Sequence, residues 1–89
     1  MDTRKNGIVI KGIEAGNWTI GCIGGFDFWV KHFELPSRFG INSGRISKLS
    51  IRRSGTTKDL VSYDRGWDVH PGSDAALQAA YKAILARFN

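Results

Sequence analysis

Ser73-Asp74-Ala75-Ala76-Leu77-Gln78-Ala79-Ala80-Tyr81-Lys82-Ala83-Ile84-Leu85-Ala86-Arg87-Phe88 is the stretch on which the fold turns. Leu77, Tyr81, Ile84 and Phe88 recur at helical spacing, with Ala76, Ala80 and Ala83 beside them, so the segment predicts one helix with one apolar stripe. Ser73 or Asp74 supplies the side-chain oxygen that satisfies first-turn amides, and a carboxylate suits the positive helix end. A lone helix with a single apolar stripe cannot bury it against itself and needs a sheet to lie on.

Upstream of the helix the pattern is that of strands. Residues 7–14 are β-branched and end in a turn at Ala15-Gly16-Asn17, and Trp18–Ile23 alternates as a second strand. Gly24-Gly25 is a two-residue connection suited to a tight hairpin, leading into Phe26–Phe33. There Phe26, Phe28 and Val30 point one way, and Asp27, Trp29, Lys31 and Phe33 the other. Leu35–Gly44 reads as a long loop punctuated by Pro36 and two glycines and anchored by Phe39 and Ile41. Arg45–Arg53 is a fourth strand with Leu49 and Ile51 inward, and Ile46, Lys48, Ser50 and Arg52 on the opposite face. Lys58–Tyr63 is a fifth, antiparallel to the fourth because Ser54–Thr57 is too short for a crossover. Asp64–Gly72 reads as a structured loop. The expected fold is therefore α+β: an antiparallel sheet of four to five strands with one C-terminal helix packed on one face.

The length of 89 residues suits one domain spanning 1–89, with 1–6 expected to be flexible. A composition of 42% hydrophobic and 24% charged residues belongs to folded chains, not disordered ones. The single cysteine, Cys22, excludes an internal disulfide and suits a reducing compartment. No apolar run approaches the length of a membrane span and no signal-peptide pattern is present, so the expected location is the cytoplasm, with no membrane partner.

The net charge of +5 is concentrated. Arg38, Arg45, Lys48, Arg52, Arg53, Lys58 and Arg65 fall in one window with only Asp59 and Asp64, and the rest of the chain is balanced. Such a field favours an acidic partner. These seven residues together with Trp29 form the expected partner-binding set. They could track a phosphate backbone, with Trp29 or Phe39 stacking a base, or meet an acidic protein surface. Against nucleic acid, the fourth strand carries no aromatic among its cations, whereas aromatics beside arginines are the usual make-up of a protein interface hot spot. Pairing of two copies through the sheet face that the helix leaves bare is equally consistent.

Catalytic readings are weaker. Asp64, Arg65, Asp68 and His70 would make a carboxylate, clamp and base set. Turn chemistry explains them more simply: Asp64 accepts backbone hydrogen bonds, Gly66 supplies a positive φ, Arg65 pairs with a carboxylate and Trp67 plugs the core. Cys22 and His32 lie on adjacent strands, but no third orienting group accompanies them, and a buried inert thiol is the expected state. No catalytic residue, metal ligand or cofactor site is assigned, and the chain reads as a binding protein.

Gly44-Arg45-Ile46-Ser47-Lys48-Leu49-Ser50-Ile51 followed by Tyr63-Asp64-Arg65-Gly66-Trp67-Asp68 resembles a family of small proteins carried by bacteriophages, prophages and integrative elements. The resemblance runs from Phe28 onward, and the second block is the more specific. It implies a mobile-element origin and brings no catalytic assignment. Small phage proteins of this size are often inhibitors of host defence machinery, anti-CRISPR proteins included. By that analogy the expected partner is an acidic surface of a host protein or nucleoprotein complex, with direct nucleic-acid binding as the alternative.

Overall fold

The computed structural model describes residues 7–14 and 16–89; the expectation for residues 1–6 lies outside the described residues. Six strands form one antiparallel sheet in chain order: β1 (Val9–Glu14), β2 (Trp18–Ile23), β3 (Phe26–His32), β4 (Ile46–Arg53), β5 (Asp59–Asp64) and β6 (Trp67–Val69). A short 3₁₀ turn, Ile41–Ser43, interrupts the β3–β4 connection, and α1 (Ala75–Phe88) closes the chain. The α+β architecture is the expected one, with one strand more than the four to five anticipated.

The extra strand is β6, in the segment read as loop. It has three residues, too few for alternation to register, and it pairs Tyr63 with Trp67 and Ser62 with Val69. The turn before it also departs from expectation. Arg65, not Gly66, takes the left-handed conformation (φ 57°), a position that sequence rules reserve for glycine or asparagine. In the β2–β3 hairpin the rule holds: Gly24 and Gly25 both have positive φ, 53° and 85°, as a primed turn demands.

One sheet face is the core. Phe26, Phe28, Val30, Leu49, Ile51 and Val61 are buried beneath Leu77, Ala80, Ile84 and Phe88 of α1. The Phe28 and Phe88 rings lie 5.9 Å apart in a tilted pair. Each large apolar side chain so covered contributes roughly 1.5–3 kcal/mol relative to exposure. Asp74 caps the helix, its carboxylate accepting from the Leu77 amide at 2.9 Å. Gly21 lets β1 approach, because a Cβ there would meet the Val9 carbonyl and the Phe28 ring.

Ile46 corrects the expected alternation of β4. Lys31 pairs with Lys48 but His32 pairs with Ile46, so Ser47 is an extra residue in the strand. This bulge returns Ile46 to the core face beside Leu49 and Ile51, where it is fully buried. Trp67 is half-buried against the core edge, not a plug within it, and packs on Tyr63, Tyr81 and His70. Among the described residues no helix lies over the second sheet face. Cross-strand partners place Trp18 and Lys31 in one row, Ile20, Trp29 and Ser50 in the next, and Cys22, Asp27 and Arg52 in a third.

Candidate anion-binding cleft

The long β3–β4 connection does not hang free. Ile41 is buried and anchors its middle. The Tyr63 hydroxyl donates to the Phe39 carbonyl at 2.7 Å. The Asn89 side chain holds the segment from the other side: its Oδ1 accepts from the Ile46 amide at 2.9 Å and its Nδ2 donates to the Ile41 carbonyl at 3.0 Å. Gly44 leaves room for that amide, since a Cβ at this position would collide with it. Asn42 and Ser43 are both left-handed, φ 52° and 58°. Two such non-glycine residues cost of order 1–3 kcal/mol each, which these tethers offset. The connection is thus a fixed wall.

Between that wall and the sheet end lies a cleft of about 440 Å³. Lys31, Arg45, Lys48 and Arg65 line it, with the rings of Phe33 and Phe39. The Arg65 guanidinium sits 4.5 Å from the Phe39 ring centroid and Arg38 sits 5.0 Å from it; Lys31 Nζ is 5.7 Å from that of Phe33. Each such contact supplies about 0.5–1 kcal/mol at an exposed site and holds the cation in place without neutralising it.

Ion pairing decides which cations still carry a free field. Lys48 is 3.6 Å from Asp64, Arg52 is 2.7 Å from Asp59, and Lys11 is 3.6 Å from Asp27. Among the described residues no carboxylate forms a salt bridge with Lys31, Arg38, Arg45 or Arg65. Arg45 Nε donates to a main-chain oxygen of Asn89 at 3.4 Å. Behind it, His32 packs against Phe88 with ring centroids 5.0 Å apart. Burial, with the Arg45 charge second, pushes the His32 imidazole below its ordinary 6.5. Among the described residues, four of the cations without a salt bridge to an Asp or Glu thus gather in the cleft and on its rim, while Arg53 and Lys58, also without one, lie at the opposite end of β4.

The eight expected partner-binding residues fall in three places. Arg45, Lys48 and Arg65 line the cleft, with Arg38 at its rim on the Phe39 ring. Trp29 and Arg52 belong to a second hollow of about 340 Å³ on the open sheet face, together with Trp18 and Ser50. Arg53, stacked 5.2 Å from the Phe26 ring, and Lys58 are exposed at the opposite end of β4. Within β4, Lys48 and Arg52 are ion-paired and Arg53 is not, so the strand's cations do not act as one set. Lys31 and Phe33 were missing from the expected set. The Lys31–Lys48 pairing would have found Lys31, but register across a long connection is not fixed by sequence.

The alternative chemistries separate in space. Cys22 pairs with Asp27 while His32 lies past Lys31, the partner of Trp18, so the thiol and the imidazole are at opposite ends of the β2–β3 ladder. Cys22 is half-buried on the open face, not enclosed in the core. In the Tyr63–His70 segment, Asp64 pairs with Lys48, His70 stacks on Trp67 at 4.7 Å, and Arg65 turns to Phe39, not to a carboxylate. Among the described residues no three His, Cys, Asp or Glu side chains are grouped to hold a metal ion. No helix among them is long and apolar enough to cross a membrane.

The family model described as Domain of unknown function (DUF7678) matches residues 17–89. The chain belongs to this family. The DUF7678 match takes in β2 through α1, and with them every residue of the cleft and of the hollow, while β1 precedes it. No curated protein and no solved structure matches the chain.

Proposed function

We propose that this DUF7678 protein is a non-catalytic binding protein of mobile-element origin that grips an anionic partner in the Lys31–Arg65 cleft. One observation carries the reading: Lys31, Arg45 and Arg65, without a carboxylate partner among the described residues, converge with Phe33 and Phe39 on one concavity. Cations in a cleft with apolar walls focus the field and raise both the rate and the selectivity of capture. The aromatic floor and fixed loop reduce the ordering cost of binding. The mobile-element resemblance makes a host defence complex, in the manner of anti-CRISPR proteins, the biological setting of that partner, acting from the cytoplasm of the host cell.

The test compares two charge reversals of equal size. Lys31→Glu/Arg65→Glu alters the cleft; Arg53→Glu/Lys58→Glu alters the far end of the sheet and leaves the same net charge. Retention on an immobilised sulfated polyanion at low salt is measured for both, with thermal melting as the fold control. The cleft pair should elute at much lower salt than the parent while the distal pair elutes near it. Equal displacement of the two would show that only net charge matters and would remove the cleft as a site.

A further inference from the structure

The cleft and the hollow on the open sheet face are neighbours along β3 and β4, and the two differ in character. Lys31 and Lys48, which line the cleft, are cross-strand partners. Two residues along the same strands lie Trp29 and Ser50, also partners, which line the hollow with Trp18 and Arg52. A step of two residues is about 7 Å along a strand. Trp18, Trp29 and Arg52 stand on one diagonal across β2, β3 and β4, as the register Trp18–Lys31, Ile20–Trp29 and Asp27–Arg52 requires. Diagonal neighbours are roughly 7–8 Å apart, within reach of aromatic and long side chains, so Trp18 and Trp29 adjoin in the hollow. The Arg52 guanidinium lies 5.0 Å from the Trp29 ring centroid and is fixed there by Asp59 at 2.7 Å.

Charge divides along the same line. Around the hollow each acid is matched, Asp27 by Lys11 and Asp59 by Arg52, so the aromatic part of the face is near neutral. Of the residues that line the two, the cations without an Asp or Glu partner among the described residues are Lys31, Arg45 and Arg65, all in the cleft. A ligand fitting both parts carries anionic groups spaced beside flat, uncharged rings. That is the make-up of a single-stranded nucleic acid, in which phosphates follow a positive groove and unstacked bases lie on aromatic side chains. A duplex keeps its bases paired and stacked and cannot offer one to the hollow. An acidic protein segment without flat rings of its own would meet the cleft but leave the tryptophans unstacked.

We infer that the partner is a single-stranded nucleic acid, with phosphates on Lys31, Arg45, Arg65 and the rim residue Arg38, and an adjacent base against Trp29 and Trp18. This rests on the anionic-partner reading above. The test titrates the full chain, at low salt, with four probes: an oligothymidylate of about ten nucleotides, within the footprint of such modules, the same sequence as a duplex, a polyphosphate and a polyglutamate of similar charge. The oligothymidylate should bind tightest and quench tryptophan fluorescence. Trp29→Ala should weaken it on the order of tenfold or more, the loss of one stacked base, and leave polyphosphate binding unchanged. Trp29→Phe, which keeps a ring, should restore most of the affinity and guards against a folding defect. If polyphosphate or polyglutamate binds as tightly as the oligonucleotide and Trp29→Ala alters none of them, the nucleic-acid assignment is overturned while the cleft stands. A duplex that binds as well as the single strand also overturns it. Failure of all four probes to bind overturns both readings.

Discussion

Replacing Asn89 with alanine should cost the protein more than its place at the end of the helix suggests. The side-chain amide spans two backbone groups, the Ile46 N–H at 2.9 Å and the Ile41 carbonyl at 3.0 Å, the second of which also accepts from the Gly44 amide at 2.8 Å. Both residues are fully buried, so water cannot easily take over. A hydrogen bond lost with both partners wet costs about 1 kcal/mol, but a buried group left orphaned costs about 1–3 kcal/mol. One buried donor left orphaned, beside an acceptor that keeps its Gly44 partner, gives about 1–3 kcal/mol, a large share of the roughly 5–15 kcal/mol that holds a domain together. At about 4–8 °C per kcal/mol for a domain of this size, the melting temperature should fall by on the order of 5–20 °C. Thermal melting followed by far-UV circular dichroism reads this directly. Asn89→Asp keeps the acceptor for Ile46 and loses the donor to Ile41, so it should fall between parent and alanine. If Asn89→Ala melts within about 2 °C of the parent, a shift worth under 1 kcal/mol, the amide is not a clamp and the rigid wall of the cleft needs another explanation.

Gly21→Ala should destabilise by about 1–3 kcal/mol through overpacking, because its Cβ meets the Val9 carbonyl and the Phe28 ring; faster amide exchange in β1 than in β4 would place the damage. Trp67→Ala should cost about 2–3 kcal/mol in chemical denaturation, below the 3–5 kcal/mol of a fully buried aromatic, since the ring is only half-buried against Tyr63 and Tyr81. His32 supplies a pH dependence. Its folded pKa lies below 6.5 through burial and then Arg45, so the unfolded chain takes up the proton first as pH falls. That contribution is present above 6.5 and is lost as pH falls through it toward the folded value. Melting temperature should therefore decline between pH 7.5 and pH 5, about the range over which histidine charges, and His32→Gln should flatten that decline.

The parts of this fold that were legible in the sequence are those governed by local period. The stripe of α1, the Asp74 cap, the Gly24-Gly25 turn and the alternation of β2 and β3 all follow from spacing and appear in the structure as expected. What was not legible depends on register or on a tertiary contact. Ser47 bulges only because β3 and β4 slip by one residue between Lys31 and His32, and that slip moved Ile46 to the core. Arg65 adopts a left-handed turn because its amide donates to the Ser47 carbonyl at 2.9 Å while its guanidinium rests on Phe39. The basic window was visible as composition, yet Asp59 and Asp64 inside it quench Arg52 and Lys48 in particular, a pairing fixed by the β4–β5 ladder. Reading β4 alone also hid the aromatics of the open face, because Trp18 and Trp29 come from the neighbouring strands.

The central claim is that a specific set of cations, and not the basic strand as a whole, meets the partner. The salt dependence of oligothymidylate binding counts them. With Lys31, Arg38, Arg45 and Arg65 each engaging one phosphate, the slope of log affinity against log salt should be about −3, from roughly −0.7 per contact on a single strand. Arg65→Ala should bring it to about −2, whereas Arg53→Ala should leave it unchanged. A slope near zero, or one that Arg53→Ala lowers as much as Arg65→Ala does, would contradict the account.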